Sequence, residues 1–542
     1  MFPKRTALFL RRSPLWIYDA MVLAHSIQFY FYLENIRMKH FFVTVIATVC
    51  LLSISGCRET QKNSSKGKIT FMLVDTEGNP LAGPHSDRVI STMERWTGES
   101  VQFQFIPMDQ YNDKVKSLLG SSSGLPMIMH INKMDQTIVA AANKGLFWDL
   151  NEFIWDSEKF PNLSKANKNV CKSLEVNGKL VGLYKARDIG RNGFAYRTDW
   201  AEKLGLGEPR TPEDVYNMMK AFKEGDPDGN GIDDTFALAM CNYTGPFDIM
   251  QTWFGCGNGW VEQNGNIIPI HQTAEYKDAL DWFRRIYDEG FIPRDWRSRE
   301  SKKWQDQVKK GEAGMFIDVM DGSRRIWDSF INSKTPSVVD PSKTAQMTLV
   351  GPINGRTLAT SGYNGFLAIT KAAATREQVE SCLRYIDKMC DDEMIVLAGY
   401  GMKDVNYTLN ERGYIVPNGD KASSKDYSAL NQTQCFIPHM LSDAKPSIQQ
   451  NDRKIKELSV LKENEQHAVF NPALSFLVNS PTYAKSGASL DKLIDEARTK
   501  YICGEINEQG LQDAFDQWNK QGGTAILAEI NAQYRMLDEA QK

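Results

Sequence analysis

An α/β protein of two or more lobes is the fold class this chain predicts, on three observations. Its 542 residues are more than one hydrophobic core commonly serves. Short apolar, β-prone runs alternate with segments of helical period from residue 69 onward. The balance of 42% hydrophobic, 24% charged and 11% aromatic residues is that of a soluble globular protein, and no fixed-period repeat interrupts it.

Taken in order, Ile69–Val74 is a short apolar strand and Ser86–Trp96 has helical spacing. Val101–Ile106 alternates as a strand, and Tyr111–Leu119 places Val115, Leu118 and Leu119 on one helical face. Leu125–Ile131 reads as a buried strand. Thr211 then offers a capping hydroxyl ahead of Pro212, Glu213 and Asp214, and Val215, Met218, Met219 and Phe222 follow at i, i+3, i+4, i+7. Thr273 opens a helix carrying Tyr276, Leu280, Phe283 and Tyr287 on one face, stopped at Gly290. Thr375 and Gln378 form a capping box. The C-terminus reads as two helices broken at Gly522-Gly523.

The first 57 residues stand apart from this pattern. From Met38 a short basic start leads into the apolar run Phe41–Ile54, small residues and Cys57, the layout of a secretory signal. The run is shorter than the roughly 20 residues of a membrane span, although an uncleaved anchor is the alternative reading. Ile54-Ser55-Gly56-Cys57 resembles the lipobox of bacterial lipoproteins, which implies cleavage before Cys57 and a lipid, with palmitate among its acyl groups, on Cys57. Residues 1–37 read as an upstream extension, 38–57 as the signal peptide and 58–67 as a polar tether. This places the folded part on the extracytoplasmic face of a membrane.

Charge and cysteine usage narrow the function classes. A net charge of −3 argues against nucleic acid as a partner, because phosphate binding needs a clustered basic surface. Beyond Cys57, seven cysteines remain with no CxxC spacing, which leaves zinc and redox motifs unsupported. They read as buried small hydrophobes.

One stretch does suggest a metal. In residues 224–238, EGDPDGNGIDDTFAL, counting Asp226 as position 1 puts side-chain oxygens of Asp226, Asp228, Asn230 and Asp234 at 1, 3, 5 and 9, with the Ile232 carbonyl at 7. Those offsets let a tight loop wrap a hard cation such as Ca²⁺. An EF-hand would need Glu at position 12, where Ala237 stands. The alternative is an Asx/Gly turn closing the preceding helix without metal. Any metal would be structural, since calcium is poor at activating water and no histidine is near.

Several stretches together carry a resemblance: the lipobox, YNDKVKSLLGSSSGLPMIMHI, GLFWDLNEFI, YRTDWAEKLGL, AFKEGDPDGNGIDDT, EYKDALDWFRRIYDEGFI, KKGEAGMFI and GYGMKDVNYT. The set is similar to the family 1 extracellular solute-binding lipoproteins of bacterial ABC importers, in the branch that binds oligosaccharides and often carries a calcium loop. The resemblance implies a two-lobed periplasmic-binding-protein-like fold of type II, with ligand in the cleft between lobes joined by a multi-segment hinge. It implies crossings near 182–193 and 352–365, an N-terminal lobe of 68–189 plus 365–400, and a C-terminal lobe of 190–364 plus 401–542. In related chains an acidic residue follows the position-9 aspartate; here it is Thr235, which leaves the last metal ligand open. The implied partners are a carbohydrate, the ABC permease subunits and the membrane through the lipid, with the protein itself a monomer and not an enzyme.

Sugar binding calls for flat aromatic faces and planar polar groups. Trp253, Asn258 and Trp260 in the glycine-rich QTWFGCGNGW are the first candidates, on the expectation of exposed loops. Tyr363 in SGYNG and Arg187 at the first crossing are the others. For each aromatic, ordinary packing is the alternative. A glycoside hydrolase would need a carboxylate pair at a set separation, and 67 acidic residues nominate none in particular. No HExxH motif appears. A non-sugar solute such as a peptide is the remaining alternative.

Overall fold

The computed structural model describes residues 67–76 and 78–541. The expectations for the upstream extension, the signal, Cys57 and residues 58–66 of the tether therefore lie outside the described residues. The two larger sheets use nine strands: β1 (Ile69–Asp75), β2 (Val101–Pro107), β3 (Ile128–Ile131), β4 (Leu183–Ala186), β5 (Asn192–Arg197), β6 (Phe236–Leu238), β7 (Ala313–Val319), β8 (Met347–Val350) and β9 (Tyr363–Ile369). The first sheet has the order β2-β1-β3-β9-β4 and the second the order β8-β5-β7-β6. Each lies in its own lobe and core.

The helices follow their caps and their apolar spacing. Thr211 and Asp214 close a reciprocal capping box at the start of Pro212–Glu224, and Thr375 and Gln378 do the same for Arg376–Lys388. Val215, Met218, Met219 and Phe222 are all buried in the second core, with Phe222 set edge-on to Trp200 at 5.5 Å. Fully burying such side chains is worth about 1.5–3 kcal/mol each. The C-terminal break falls where the sequence puts it: Gly522, at φ 144°, separates Glu508–Trp518 from Thr524–Gln541. All seven cysteines from Cys171 to Cys503 are free, and six are buried.

Strand direction determines where the lobes meet. In the first sheet β1 is parallel to β2 and β3, while β9 is antiparallel to β3 and β4, so β4 points the same way as β1. In the second sheet β7 is parallel to β6 and antiparallel to β5, which pairs antiparallel with β8. The chain leaves the carboxyl end of β4 at Ala186, turns through Ile189–Arg191, and enters β5 at Asn192. Because β5 opposes β7, that entry point lies beside Val319, where β7 ends. The return from Val350 to Tyr363 also joins the two carboxyl edges, since Tyr363 pairs with Ala186 and Val350 with Phe194.

The described chain crosses a third time before the helix Asp452–Gln466. Leu430, Cys435 and Ile437 belong to the first core, whereas Val460 and Leu461 pack with the second lobe. This corrects the placement of all of 401–542 in the second lobe: the stretch through Ile437 packs on the first. The reason is that Leu397 and Ala398, on the helix Asp392–Tyr400, bury themselves in the first core and draw the following 3₁₀ turn, Ser428–Thr433, against β1 and that helix. Past the crossing, Ala468–Val469 pairs with Thr357–Leu358, which adds a strand to the hinge.

Candidate functional site

In open α/β sheets ligands gather outside the carboxyl ends of the strands. Here both sheets turn those ends toward the same crossing segments, so residues at the edges of both lobes face a common space. From the first lobe come Asn132 and Lys133, just past β3, which line a pocket of about 260 Å³. Lys185 and Arg187 stand at the end of β4. From the second come Tyr243, past β6, and Asp318, Asp321 and Arg325 at and beyond the end of β7.

The charges here are coupled. Arg191 pairs with Asp321 at 2.8 Å, and Arg325 holds the other oxygen of that carboxylate at 2.5 Å. Burial, reinforced by the neighbouring Asp321 charge, pushes the Asp318 carboxyl up to about 6. Burial, and secondarily the Asp318 charge, raises the Tyr243 phenol. The Tyr243 side chain is 49% exposed and packs edge-on against Trp304 at 5.7 Å. It is an aromatic face held open at a strand edge, the geometry that stacking on a sugar ring needs. Sequence reasoning missed Tyr243 and Asp318; the available signal was a carboxylate near the end of the strand-like run Ala313–Val319 and a tyrosine shortly after the apolar run Phe236–Cys241.

The sequence-predicted residues separate into groups. Trp253 is 2% exposed and lies edge-on to Phe194 at 6.2 Å in the second core. It therefore has no face to offer a solute, which corrects the exposed-loop expectation. The turn Thr252–Phe254 continues the buried helix Gly245–Gln251 and ends only at Gly255, so its tryptophan is drawn inward. Trp260, 7% exposed, packs against Trp518. Trp260 and Asn258 share the wall of a cavity of about 640 Å³ beside the crossings, with Ser173, Glu175, Ser361 and Tyr534. Asn258 is also structural: its amide donates to the carbonyls of Ala359 and Val469 at 3.0 Å each. Tyr363 is half-buried, with its hydroxyl on Ser173. Arg187 is exposed at the first crossing. The strand edges thus gather Arg187 with Tyr243 and Asp318, and leave the two tryptophans elsewhere.

The acidic loop joins the helix Pro212–Glu224 to β6. Asp226 accepts hydrogen bonds from the backbone N–H groups of Gly229, Asn230 and Gly231 at 3.0–3.2 Å. The Asn230 amide lies 2.8 Å from Asp228 Oδ2 and 3.2 Å from Asp234 Oδ1, so three side chains converge on one point. Rotating that amide by 180° would present its oxygen there, at the cost of the hydrogen bond this oxygen accepts from the Ile232 N–H at 2.7 Å. Burial, with the Asp226 and Asp234 charges, pushes the Asp228 carboxyl up. Among the described residues, however, no group of three or more His, Cys, Asp or Glu side chains is gathered as a metal shell. The donor set is chemically suited to a hard cation but is turned toward the loop's own N–H groups.

Comparison with known proteins fits this geometry. Residues 90–385 match the family described as bacterial extracellular solute-binding protein. The chain is 34% identical over 517 residues to lipoprotein LipO of Bacillus subtilis, covering 92% of this chain and 99% of that one. It is 27% identical over 504 residues to the polygalacturonan/rhamnogalacturonan-binding protein YtcQ of the same organism, covering 89% and 96%. Among solved structures, an EF-hand mutant of the ABC-transporter substrate-binding protein FusA of Streptococcus pneumoniae, in complex with fructo-nystose, superposes with a TM-score of 0.56. It is 18% identical and covers 88% of this chain and 100% of that one.

Proposed function

Because the chain belongs to the bacterial extracellular solute-binding proteins, we propose that it captures an oligosaccharide between its two lobes and delivers it to a membrane permease. The observation that carries this reading is the facing of both carboxyl edges on shared crossing segments, with the open Tyr243 ring and hydrogen-bonding side chains from both lobes. A solute touching both edges favours the closed state over the open one, so binding and closure are one equilibrium. The glycan-binding descriptions of YtcQ and FusA support a carbohydrate over a peptide. The protein binds its ligand and returns it chemically unchanged.

Two further parts belong to the same reading. Cys57 carries the lipid that holds the protein on the outer face of the cell membrane, as the lipobox and the likeness to a lipoprotein suggest. The loop Asp226–Asp234 takes a structural calcium ion through Asp226, Asp228, Asn230, Asp234 and the Ile232 carbonyl. The offsets, the convergence on Asn230 and the EF-hand of FusA support it.

Titration calorimetry of the purified protein against oligosaccharides of several linkages tests the capture, with chromatography of the recovered sugar. Saturable binding and intact sugar are expected. Release of shorter sugars would instead make the protein a hydrolase.

A further inference from the structure

Lys68 precedes β1, and the Ile69 N–H donates to the Ser100 carbonyl at 2.9 Å, just ahead of β2. The amino ends of β1 and β2 therefore mark where the chain from Cys57 enters the fold. Ten peptide units separate Cys57 from Gly67, and at about 3.5 Å each they span at most about 35 Å. β1 then carries the chain about 23 Å further, over seven residues, to the carboxyl edge where the lobes meet. A lipid on Cys57 thus keeps the amino edge of the first sheet close to a bilayer and leaves the carboxyl edge free to point away.

Several elements bring aromatic rings and cations to that amino edge. Trp96, in the last turn of the helix Ser86–Thr97, is 43% exposed, and its indole N–H donates to Asp391 at 2.9 Å. Arg95 beside it is exposed. Because β9 runs antiparallel to β3, its carboxyl end lies at the same edge. There the Trp148 N–H donates to the Ile369 carbonyl at 2.9 Å and the Lys371 N–H to the Leu146 carbonyl at 2.8 Å. The Lys371 ammonium stands over the half-buried Trp148 ring at 3.4 Å. Lys144, exposed, closes the helix Gln136–Asn143 two residues before Leu146. β9 lies two strands from β1, a separation of about 10 Å, so these groups share one surface with Lys68.

Most carboxylates nearby are engaged. Glu99 pairs with Arg384 and Asp391 with Lys388 at 3.4 Å. Glu152, whose charge also reaches Lys371, pairs with Arg376 at 3.0 Å. Glu94 holds the Val101 N–H at 3.2 Å, and Glu377 stays exposed in the first turn of Arg376–Lys388. Lys68, Arg95, Lys144 and Lys371 are ion-paired with none of these. The sequence leading to them adds Arg58, Lys62 and Lys66 against Glu59. The chain beyond Cys57 is otherwise acidic: taking the six basic and two acidic residues of 1–57 from a net charge of −3 leaves −7. An anionic leaflet repels such a molecule overall and attracts this edge, and tryptophan is a side chain that settles at headgroup depth.

We propose that the amino edge of the first sheet, with Lys68, Arg95, Trp96, Lys144, Trp148 and Lys371, rests on the anionic headgroups of the membrane that holds Cys57. The cleft edges then face away from the bilayer, open to solutes arriving from outside. This rests on the lipid-anchor reading above and gives the anchored protein an orientation. Each basic residue near an anionic surface is worth roughly 5-fold in occupancy, and a short tether supplies a high local concentration. Delivery to a permease begins with release of this edge, which salt-screened contacts permit.

The test uses the protein extracted from membranes and reconstituted on vesicles of phosphatidylcholine, with or without phosphatidylglycerol. Lysines are acetylated by a succinimidyl ester, and the rate at each is read by peptide mass spectrometry. Lys68, Lys144 and Lys371 should react about 5-fold or more slowly on the anionic vesicles than on the neutral ones, and the protection should fade as salt rises. Lys133, exposed past β3 at the carboxyl edge, should react equally on both. Lys144→Glu combined with Lys371→Glu should abolish the protection of Lys68. Arg95→Glu, at a separate exposed position, should weaken it and tests the edge even if the double variant folds poorly. Equal rates on the two vesicles, or protection of Lys133 in place of the amino edge, overturns the docking and leaves the anchor standing. Protection on whole cells with none on vesicles puts a wall polymer on this edge and overturns it too. A Cys57 peptide without acyl groups overturns anchor and docking together.

Discussion

The Thr235 hydroxyl donates to the Phe222 carbonyl at 3.1 Å, and Thr235 is 2% exposed. It ties the end of the acidic loop to the last turn of the helix before it, satisfying one of the carbonyls that a helix terminus leaves open. Thr235 is thus turned away from the loop's carboxylates and supplies no metal ligand. The residue that separates the two readings of the loop is Asp234, whose side chain meets the rest of it only through the Asn230 amide.

Asp234→Ala should therefore leave the chelator-treated protein as stable as the chelated parent and abolish the rise in melting temperature on adding calcium. Asp226→Ala should destabilise the protein with and without metal, because it also removes the acceptor of three backbone N–H groups. A parent whose melting ignores both calcium and chelator would make the loop a hydrogen-bonded turn.

Trp253 and Tyr243 should respond in opposite ways to truncation. Trp253→Ala removes a core side chain packed on Phe194, and a loss of about 3–5 kcal/mol is expected in denaturant unfolding. Tyr243→Ala removes an exposed ring, and should change stability by less than about 1 kcal/mol while weakening sugar binding about 10-fold. Unimpaired sugar binding in Tyr243→Ala would remove this ring from the site.

Much of the fold was legible because the local signals agree. The capping residues Thr211, Thr273 and Thr375, the spacing Val215–Met218–Met219–Phe222 and the break at Gly522 each act within a few residues. The site was less legible. Tyr243 and Asp318 draw their character from strand order and from burial by a second lobe. Neither of these is a local property. Trp253 misled for the same reason: glycine at 255 and 257 suggests an open loop, but the turn carrying the tryptophan is an extension of a buried helix.

Asn258 should matter to the hinge whatever it does for ligand. Its amide donates to Ala359 in the return crossing and to Val469 in the last one. Asn258→Ala strands two carbonyls, and a loss of about 1–3 kcal/mol is expected in denaturant unfolding. A change below about 0.5 kcal/mol would mean that water serves those carbonyls equally well.

Asp318 gives a pH dependence whose sign follows from linkage. Its carboxyl is raised from 3.8 to about 6 by burial in the folded protein. Below about pH 4 it is protonated in folded and unfolded states alike, and it contributes no pH dependence there. Between about pH 4 and 6 the unfolded chain releases the proton while the folded protein keeps it, so stability falls as pH rises through this window. Above about pH 6 the loss is complete, at up to about 3 kcal/mol. Asp318→Asn should accordingly stabilise the protein at pH 7.5 and change little at pH 4. His130 and His271, both lowered to about 3 by burial, act in the other direction: the stability they contribute above about 6.5 is lost as pH falls. The parent's own pH profile therefore mixes the two effects, and the difference in unfolding free energy between parent and Asp318→Asn isolates the carboxyl. A difference that does not grow between pH 4 and 7 would mean that Asp318 is ionised in the folded protein and held by the arginines Arg191 and Arg325 instead.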